Sequence, residues 1–584
     1  MAWYLKQMEQ LLSSQDIRML KQIYEPKVVA IPPGDARRSL CVMPDGEIRY
    51  YGEVEKKYAA DDGVVVYAAS RDCGLSWKLY YAEHNDVLGA SVRSPYSGKY
   101  FTIRSSFKEE NKGTYLYSSS IGPSDPAPTV KKLSDTPYWD IFQPIAVSTR
   151  PNRWICTMHK KLNSAQPFVM ISDDDGENWR EVYVNATPLH EPVWPHLDVR
   201  WQNTGQEPHV TELPDGRLML LVRTSLDYLY VYYSEDGGDS WTDGEPSIFH
   251  CTLTTPFLLK LSDRRNMLFW CNTQPLPEMN HAKQWPPLDP RTAIGRGEDA
   301  FTNRDANHVA ISSDGSNWTG FRELFLSSLR NDADYRTKGG GISANDKSVH
   351  QFQALELPFG KILVAFGQHE VSRKMVIFDI DWLYETSRSE DFQTGLANVS
   401  THLFVKSISG GVTPGYTGHC SWNRVSGALL APDPDATYGE ALQLCRVRDP
   451  RLLSETQGVV WNFPAAKKGE LSVEIRVAGS GVRLSLTDHW YNPGDVTTRE
   501  LSHYSFSLTR EILPEDEWCT VRVRYDLTDS AFAQVYLADK LLFKVPLRFE
   551  APYGLCYVHI QSLAESEDPK GTYIRTLNHQ QILT

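Results

Sequence analysis

The chain is predicted to be all-β: a six-bladed β-propeller followed by a jelly-roll-like β-sandwich. Three features of the sequence predict this. An acidic hairpin motif recurs four times, strand–turn–strand units fill the intervals between copies, and after about residue 395 the hairpins give way to short strands of period-two alternation. Repeated hairpins at roughly 60- to 100-residue spacing are the mark of radially repeated sheets.

The hairpins read Ser70-Arg-Asp72-Cys-Gly74-Leu-Ser-Trp77, Ser172-Asp-Asp174-Asp-Gly176-Glu-Asn-Trp179, Ser234-Glu-Asp236-Gly-Gly238-Asp-Ser-Trp241 and a shorter Ser312-Ser-Asp314-Gly-Ser-Asn-Trp318. Each residue type has a task. The Asp carboxylate accepts backbone N–H bonds within the turn, Gly adopts an angle that other residues resist, and Trp packs the hairpin onto a neighbouring sheet. Second-type units such as Leu40–Ile48 and Val210–Leu218 hold Pro-Asp-Gly turns between apolar strands and open the blades. These turns place the blades at about 37–80, 90–133, 141–183, 205–247, 254–323 and 349–384, with the segment Glu25–Pro32 as closing strand of the last. Blade 5 carries a Pro- and Gly-rich excursion near 273–303, of the kind that shapes a binding rim.

The expected domains are an N-terminal helical segment (1–24), the propeller (25–395) and the sandwich (396–584). In the first, Leu5, Met8, Leu12, Met19, Leu20 and Ile23 fall at approximately helical spacing around a polar gap at Gln15 and Asp16. In the last, Leu471–Val477, Val482–Leu486, Thr520–Arg524 and Ala533–Leu537 alternate in the manner of a two-sheet sandwich.

With 584 residues and 41% hydrophobic content, two cores are expected. A net charge of −13 without any basic tract argues against nucleic acid or an anionic membrane surface as partner. The nine cysteines are scattered and contain no C-x-x-C pair, and the N-terminus has no cationic leader or apolar h-region, so a reducing, cytoplasmic location is the expectation. No stretch reaches the length of a membrane-spanning helix. No ligand spacing points to a metal or other cofactor, since His308 has only Asp305 nearby in sequence. Oligomeric state is not readable.

Innermost strands of a propeller converge, so equivalent positions ring one mouth. The residue eight places before each turn's second residue is Arg37 in blade 1, Glu207 in blade 4 and Gln351 in blade 6. Second strands end on Arg104, His159, Arg223 and Asn272. Several cations on one face of an acidic protein would form a local anion site.

The hairpins resemble the Asp box of sialidases, where they are structural and lie away from the active site. Gly205–Arg223 is similar to the sialidase segment that supplies an inward Glu and then a substrate-binding Arg, which implies those roles for Glu207 and Arg223. Arg304-Asp-Ala-Asn-His-Val-Ala-Ile-Ser312 resembles the stretch carrying another member of that family's arginine triad, and Arg37 or Arg38 would be the third, although the usual Arg-Ile-Pro is replaced by Arg37-Arg-Ser-Leu. Met375–Leu383 looks like the family's closing strand. Three guanidiniums around one point bind a carboxylate through paired hydrogen bonds, which implies an acidic glycan as substrate. In that family a Tyr activated by the Glu attacks the anomeric carbon while an Asp protonates the leaving oxygen, and Asp61 or Asp62 would be that acid.

One departure bears on the chemistry. Where sialidases carry their Tyr, this chain reads Ser348-Val-His350-Gln351-Phe352-Gln353. Gln351 cannot serve as that nucleophile. Tyr335 or Tyr416 would have to replace it, or the chemistry differs, with His350, His159 or His209 acting as base. The resemblance implies an exo-acting glycoside hydrolase that releases a terminal carboxylated sugar. The alternatives are a propeller polysaccharide lyase acting on uronates by β-elimination and a non-catalytic protein that binds acidic sugars.

Overall fold

The computed structural model describes residues 3–32, 40–51, 66–81, 88–160, 166–191, 203–251, 254–273, 306–326, 349–367, 372–406, 422–425, 427–437, 439–446, 457–494, 496 and 498–583. The chain forms two compact units: 1–271 with 289–318 and 342–382, and 272–288 with 319–341 and 383–584.

Six four-stranded antiparallel sheets follow one another in sequence. Sheet 1 spans Leu40–Tyr81, sheet 2 Val92–Ser134, sheet 3 Ile145–Tyr183, sheet 4 Thr204–His250 and sheet 5 Phe257–Glu323. Sheet 6 takes its three strands from Gln353–Asp379 and its outer strand from Lys27–Ala30, which pairs antiparallel with Lys374–Asp379. A strand from the chain's beginning thus completes the last sheet. The first strands of sheets 4, 5 and 6 touch in that order, and that of sheet 6 touches that of sheet 1.

The acidic hairpins hold this order together. In the first, Ser70 Oγ donates to Asp72 (2.7 Å) and accepts from the Gly74 N–H (2.7 Å), Asp72 accepts from the Ser76 N–H (2.9 Å), and Trp77 Nε1 donates to the Gly74 carbonyl (3.0 Å). The other three repeat the scheme, including the shorter one, where Asn317 N donates to Asp314 at 2.7 Å and Trp318 Nε1 to Gly315 O at 3.1 Å. Glycine is required twice over at Gly238: its φ is +99°, and a Cβ there would lie 2.9 Å from Ile155 of sheet 3. The equivalent Gly176 faces Phe101 of sheet 2, Gly315 faces Leu213 of sheet 4, and Gly74 faces Leu363 and Ile377 of sheet 6. Each hairpin is therefore wedged against the preceding sheet, and the first is wedged against the last.

Sheet 2 contains a related hairpin that its sequence conceals. Ser119 Oγ donates to Asp125 Oδ2 at 2.5 Å and accepts from the N–H groups of Ile121 (2.9 Å) and Gly122 (3.3 Å). The Asp stands six residues after the Ser instead of two, so the spacing does not match the motif.

Carboxylates staple neighbouring sheets at the opposite turns. Glu212 of sheet 4 accepts four hydrogen bonds from the backbone and hydroxyls of Ser148 and Thr149 in the sheet 3 turn, at 2.6–2.9 Å, and one from Lys260 Nζ at 2.5 Å. Burial alone would raise the pKa of this carboxyl, but the bonds from Lys260, Ser148 and Thr149 prevail and hold it at about 2. Because the folded pKa lies below the unfolded value of about 4.3, the stabilisation is present above that pH and is lost as pH falls through about 2. Glu212→Gln should therefore destabilise the protein at pH 7, and the gap from wild type should narrow by pH 3. Denaturant unfolding at both pH values measures it, and a gap independent of pH would remove Glu212 as the source. Glu356 of sheet 6 makes the corresponding contact with the backbone and hydroxyl of Ser262 in the sheet 5 turn, at 2.6 and 2.7 Å.

The N-terminal segment forms helices Trp3–Leu11 and Ser14–Gln22. The polar gap between them is a capping box: Ser13 Oγ accepts from the Asp16 N–H and Asp16 accepts from the Ser13 N–H. Met8, Leu20 and Ile23 join Ile48 and Tyr50 of sheet 1 and Leu363 and Ile377 of sheet 6 in one core, so the helices cover the seam between the first and last sheets.

The second unit contains two packed sheets. The larger holds the strands Leu429–Pro432, Glu440–Arg446, Asp568–Gln581, Lys468–Val477, Trp518–Asp526, Phe532–Leu537 and Lys540–Pro546, with Ser387–Glu390 pairing beside Asp568–Gln581. Ser387–Glu390 thus belongs to the sandwich although it precedes residue 396. The smaller sheet runs Gly458–Ala466, Leu555–Ser562, Val482–Thr487, Tyr504–Leu508. Alternate residues from both sheets, among them Leu471, Val473, Ile475, Trp461, Leu484 and Val558, share a single core.

Candidate functional site

The strand Thr204–Glu212 is buried at all nine positions, and its pairing with Leu218–Thr224 slips on either side of Gln206. At this irregularity Glu207 takes φ +50°, although it is not glycine and precedes Pro208, a context that favours extended backbone. Strained backbone of this kind persists only where its surroundings over-determine it. Here the surroundings are charged.

Arg223, at the end of the neighbouring strand, spreads its guanidinium across two side chains. Nη1 donates to Glu207 Oε2 at 2.5 Å and Nη2 to Gln206 Oε1 at 2.7 Å. Gln206 Oε1 also accepts from Asn203 Nδ2 at 2.6 Å, and Glu207 Oε2 accepts from the Thr255 hydroxyl. Arg223 and Glu207 are 5% and 6% exposed, so this is a buried ion pair carried by hydrogen bonds.

Sheet 3 approaches the backbone of the same residue. The His159 ring, fully buried at the end of Trp154–His159 in sheet 3, has Nδ1 3.5 Å from the Glu207 N–H, and its Nε2 lies 3.7 Å from Asp140 Oδ2. Asp140 also has a positive φ, +44°. Gln351, at the position in sheet 6 equivalent to Glu207, repeats its backbone with φ +64° and is 6% exposed. Its neighbour His350 is completely buried, and its carbonyl accepts from the Gly367 N–H at 2.6 Å.

Thr255 escaped the sequence reading. The signal was present: eight places before Asp263, the second residue of the sheet 5 turn, is Thr255, by the count that selects Arg37, Glu207 and Gln351. The structure draws Glu207, Arg223, Thr255 and His159 together. Arg104 of sheet 2 donates to the Leu88 carbonyl and lies 5.7 Å from the Tyr117 ring. Asn272 falls in the second unit, where its amide donates to the Asp488 carbonyl at 3.0 Å. His209 accepts from the Leu258 N–H at 3.2 Å between the rings of Phe142 and Phe257, and burial pushes its pKa down to about 3, so the ring is neutral and pins backbone. Arg37, Arg38, Asp61, Asp62, Arg304, Tyr335 and Tyr416 lie outside the described residues.

Comparison with known proteins adds the following. Residues 100–335 match the BNR repeat-like domain. The anhydrosialidase of Macrobdella decora is 31% identical over 109 residues, which is 18% of this chain and 12% of that protein. Among solved structures, a mutant of Trypanosoma rangeli sialidase displaying trans-sialidase activity aligns over 97% of this chain and 96% of its own at 12% identity, with a TM-score of 0.34. The intramolecular trans-sialidase from Ruminococcus gnavus aligns over 61% of this chain and 98% of its own at 13% identity, with a TM-score of 0.37. With scores this low, neither structure bears on the chemistry. The BNR repeat-like match over residues 100–335, the sequence relative and the four Asp-box hairpins make the chain similar to the BNR-repeat proteins of the sialidase superfamily.

Proposed function

We propose that the chain is a glycosidase that releases a terminal carboxylated sugar from an acidic glycan. The observation that carries this reading is the buried Arg223–Glu207 pair on the inner strands of sheet 4. A planar fork held in place by Gln206 is prepared to receive a substrate carboxylate. When the substrate takes a place on that fork, Glu207 loses part of its cationic partner in a buried setting and its proton affinity rises. Binding of the correct acid thereby turns Glu207 from a structural ion into a base.

In the hydrolytic step Glu207 takes a proton from water, the water oxygen bonds to the anomeric carbon, and the glycosidic C–O bond breaks as its oxygen is protonated. Asp62 is our candidate for that acid on resemblance alone. With Gln351 in place of the family's Tyr, direct attack by water is the route, and it inverts the anomeric centre. A second reading, β-elimination from a uronate, is favoured by the same Gln351 and by the imidazole of His159 beside Glu207.

Product analysis separates them. Digestion of sialylated and uronate-containing oligosaccharides in 18O-water should yield a reducing sugar that carries the label, with the inverted anomer seen by NMR at early times. A product of unchanged mass sum with the absorbance of an unsaturated uronate would establish elimination instead. Binding without cleavage of either glycan class would leave the protein a lectin.

A further inference from the structure

The smaller sheet of the sandwich has one face in the core and one face that is polar. Val482, Leu484 and Leu486 point into the core, as do Phe506, Val558 and Ile560, so Arg483, Ser485, Ser505, His559 and Gln561 lie on the other side. Arg483 is paired in register with Gln561 on one flank and Ser507 on the other. Residues directly opposite each other on antiparallel strands are close neighbours.

Two observations there lack a structural explanation. Gln561 is completely buried, yet neither its side-chain oxygen nor its nitrogen has a hydrogen-bond partner. A buried amide left unsatisfied at both ends is costly in a native protein. Beside it, the Nε atoms of Arg483 and Arg499 are also buried without partners. Arg499 comes from the helical turn Thr498–Leu501, and its carbonyl accepts from Arg548 Nη1, while the Arg548 N–H donates to the His503 carbonyl at 3.0 Å.

Three arginines therefore gather without an ion-paired carboxylate among the described residues. Burial lowers the Arg483 pKa, and the charges of Arg499 and Arg548 lower it further. No carboxylate among the described residues bridges any of the three; Glu500 and Glu550 are exposed and make no ion pair with them. On a chain of net charge −13, this is a local excess of positive charge among the described residues. Phe549, next to Arg548, is 44% exposed and presents an aromatic ring 6.4 Å from that of His503.

We infer that this polar face is a second site, which binds the carboxylate or sulfate group of an anionic saccharide through Arg483, Arg499 and Arg548. Gln561 supplies a neutral donor and acceptor, and Phe549 an apolar surface for a sugar ring. Guanidinium forks suit both acid groups. The site needs no catalytic groups and would hold the enzyme on an acidic glycan independently of what the propeller cleaves.

Calorimetric titration of the full chain tests this with inorganic sulfate, a hyaluronan hexasaccharide, sialyllactose and neutral maltohexaose. At least one anionic saccharide should bind to Arg223→Ala protein, in which the propeller fork is gone, and maltohexaose should not. Arg483→Gln with Arg499→Gln should weaken that binding by at least about tenfold. Phenylglyoxal labelling of the unmutated chain provides a second readout, with Arg483 and Arg499 protected when the bound saccharide is present. Equal affinity in the double variant, absence of protection, or binding of sulfate alone as an adventitious ion would each overturn the proposal.

Discussion

Arg223→Ala should cost the protein about 3–5 kcal/mol of stability along with its affinity for acidic sugars, because it strands a buried carboxylate. Glu207 is 6% exposed, and its Oε2 accepts from the Arg223 guanidinium at 2.5 Å and from the Thr255 hydroxyl. A buried anion deprived of its cation binds a proton more readily or draws in water, and both disturb the inner strand. The effect on stability is separable from the effect on binding. In the double variant Arg223→Ala with Glu207→Gln both charges are gone, so most of the lost stability should return while affinity for a carboxylated sugar stays lost. Unfolding midpoints and titration of the four proteins of the cycle provide the measurement. A single-variant loss under about 1 kcal/mol would mean that the pair is solvated and carries little energy.

The parts of this molecule that were legible in the sequence are those whose partners are close along the chain. An acidic hairpin closes within eight residues, so Ser70, Asp72, Gly74 and Trp77 announce their own hydrogen bonds. The hairpin at Ser119–Asp125 uses the same chemistry with a longer loop and was invisible for that reason. Counting back from turns found Glu207 and Gln351, which share a left-handed backbone, and the same count would have found Thr255. A threonine draws no notice in a search for charge.

Partner choice was the illegible part. Arg104 and Arg223 end equivalent strands and looked alike, yet one guanidinium faces the Leu88 carbonyl and the other a carboxylate. His209 was a candidate base until the structure placed Leu258 N–H on its lone pair. In the sandwich, Arg483, Arg499 and Arg548 are far apart in sequence and show no motif; only strand register and chain return bring them together.

The largest expected effect on turnover comes from Glu207→Gln. Gln keeps the size of the side chain and an oxygen for Arg223 and Thr255 to address, but it cannot accept a proton. If Glu207 is the base, turnover should fall by about 100- to 10,000-fold, with the Michaelis constant changing far less. The substitution also takes the Glu207 charge away from Arg223, so kinetics belong well below the variant's unfolding midpoint, and the change in KM reports what that costs in binding. Glu207→Ala separates chemistry from architecture. It opens space beside Arg223 that formate fits, and a small carboxylate there restores both the ion pair and a proton acceptor. Recovery of turnover with formate, and none with chloride, would assign Glu207 the proton transfer. If both anions restore turnover equally, the residue acts only by holding Arg223 in place. Should Glu207→Gln match wild type in turnover, the base lies elsewhere, and the imidazole of His159, 3.5 Å from the Glu207 backbone, is the next group to replace.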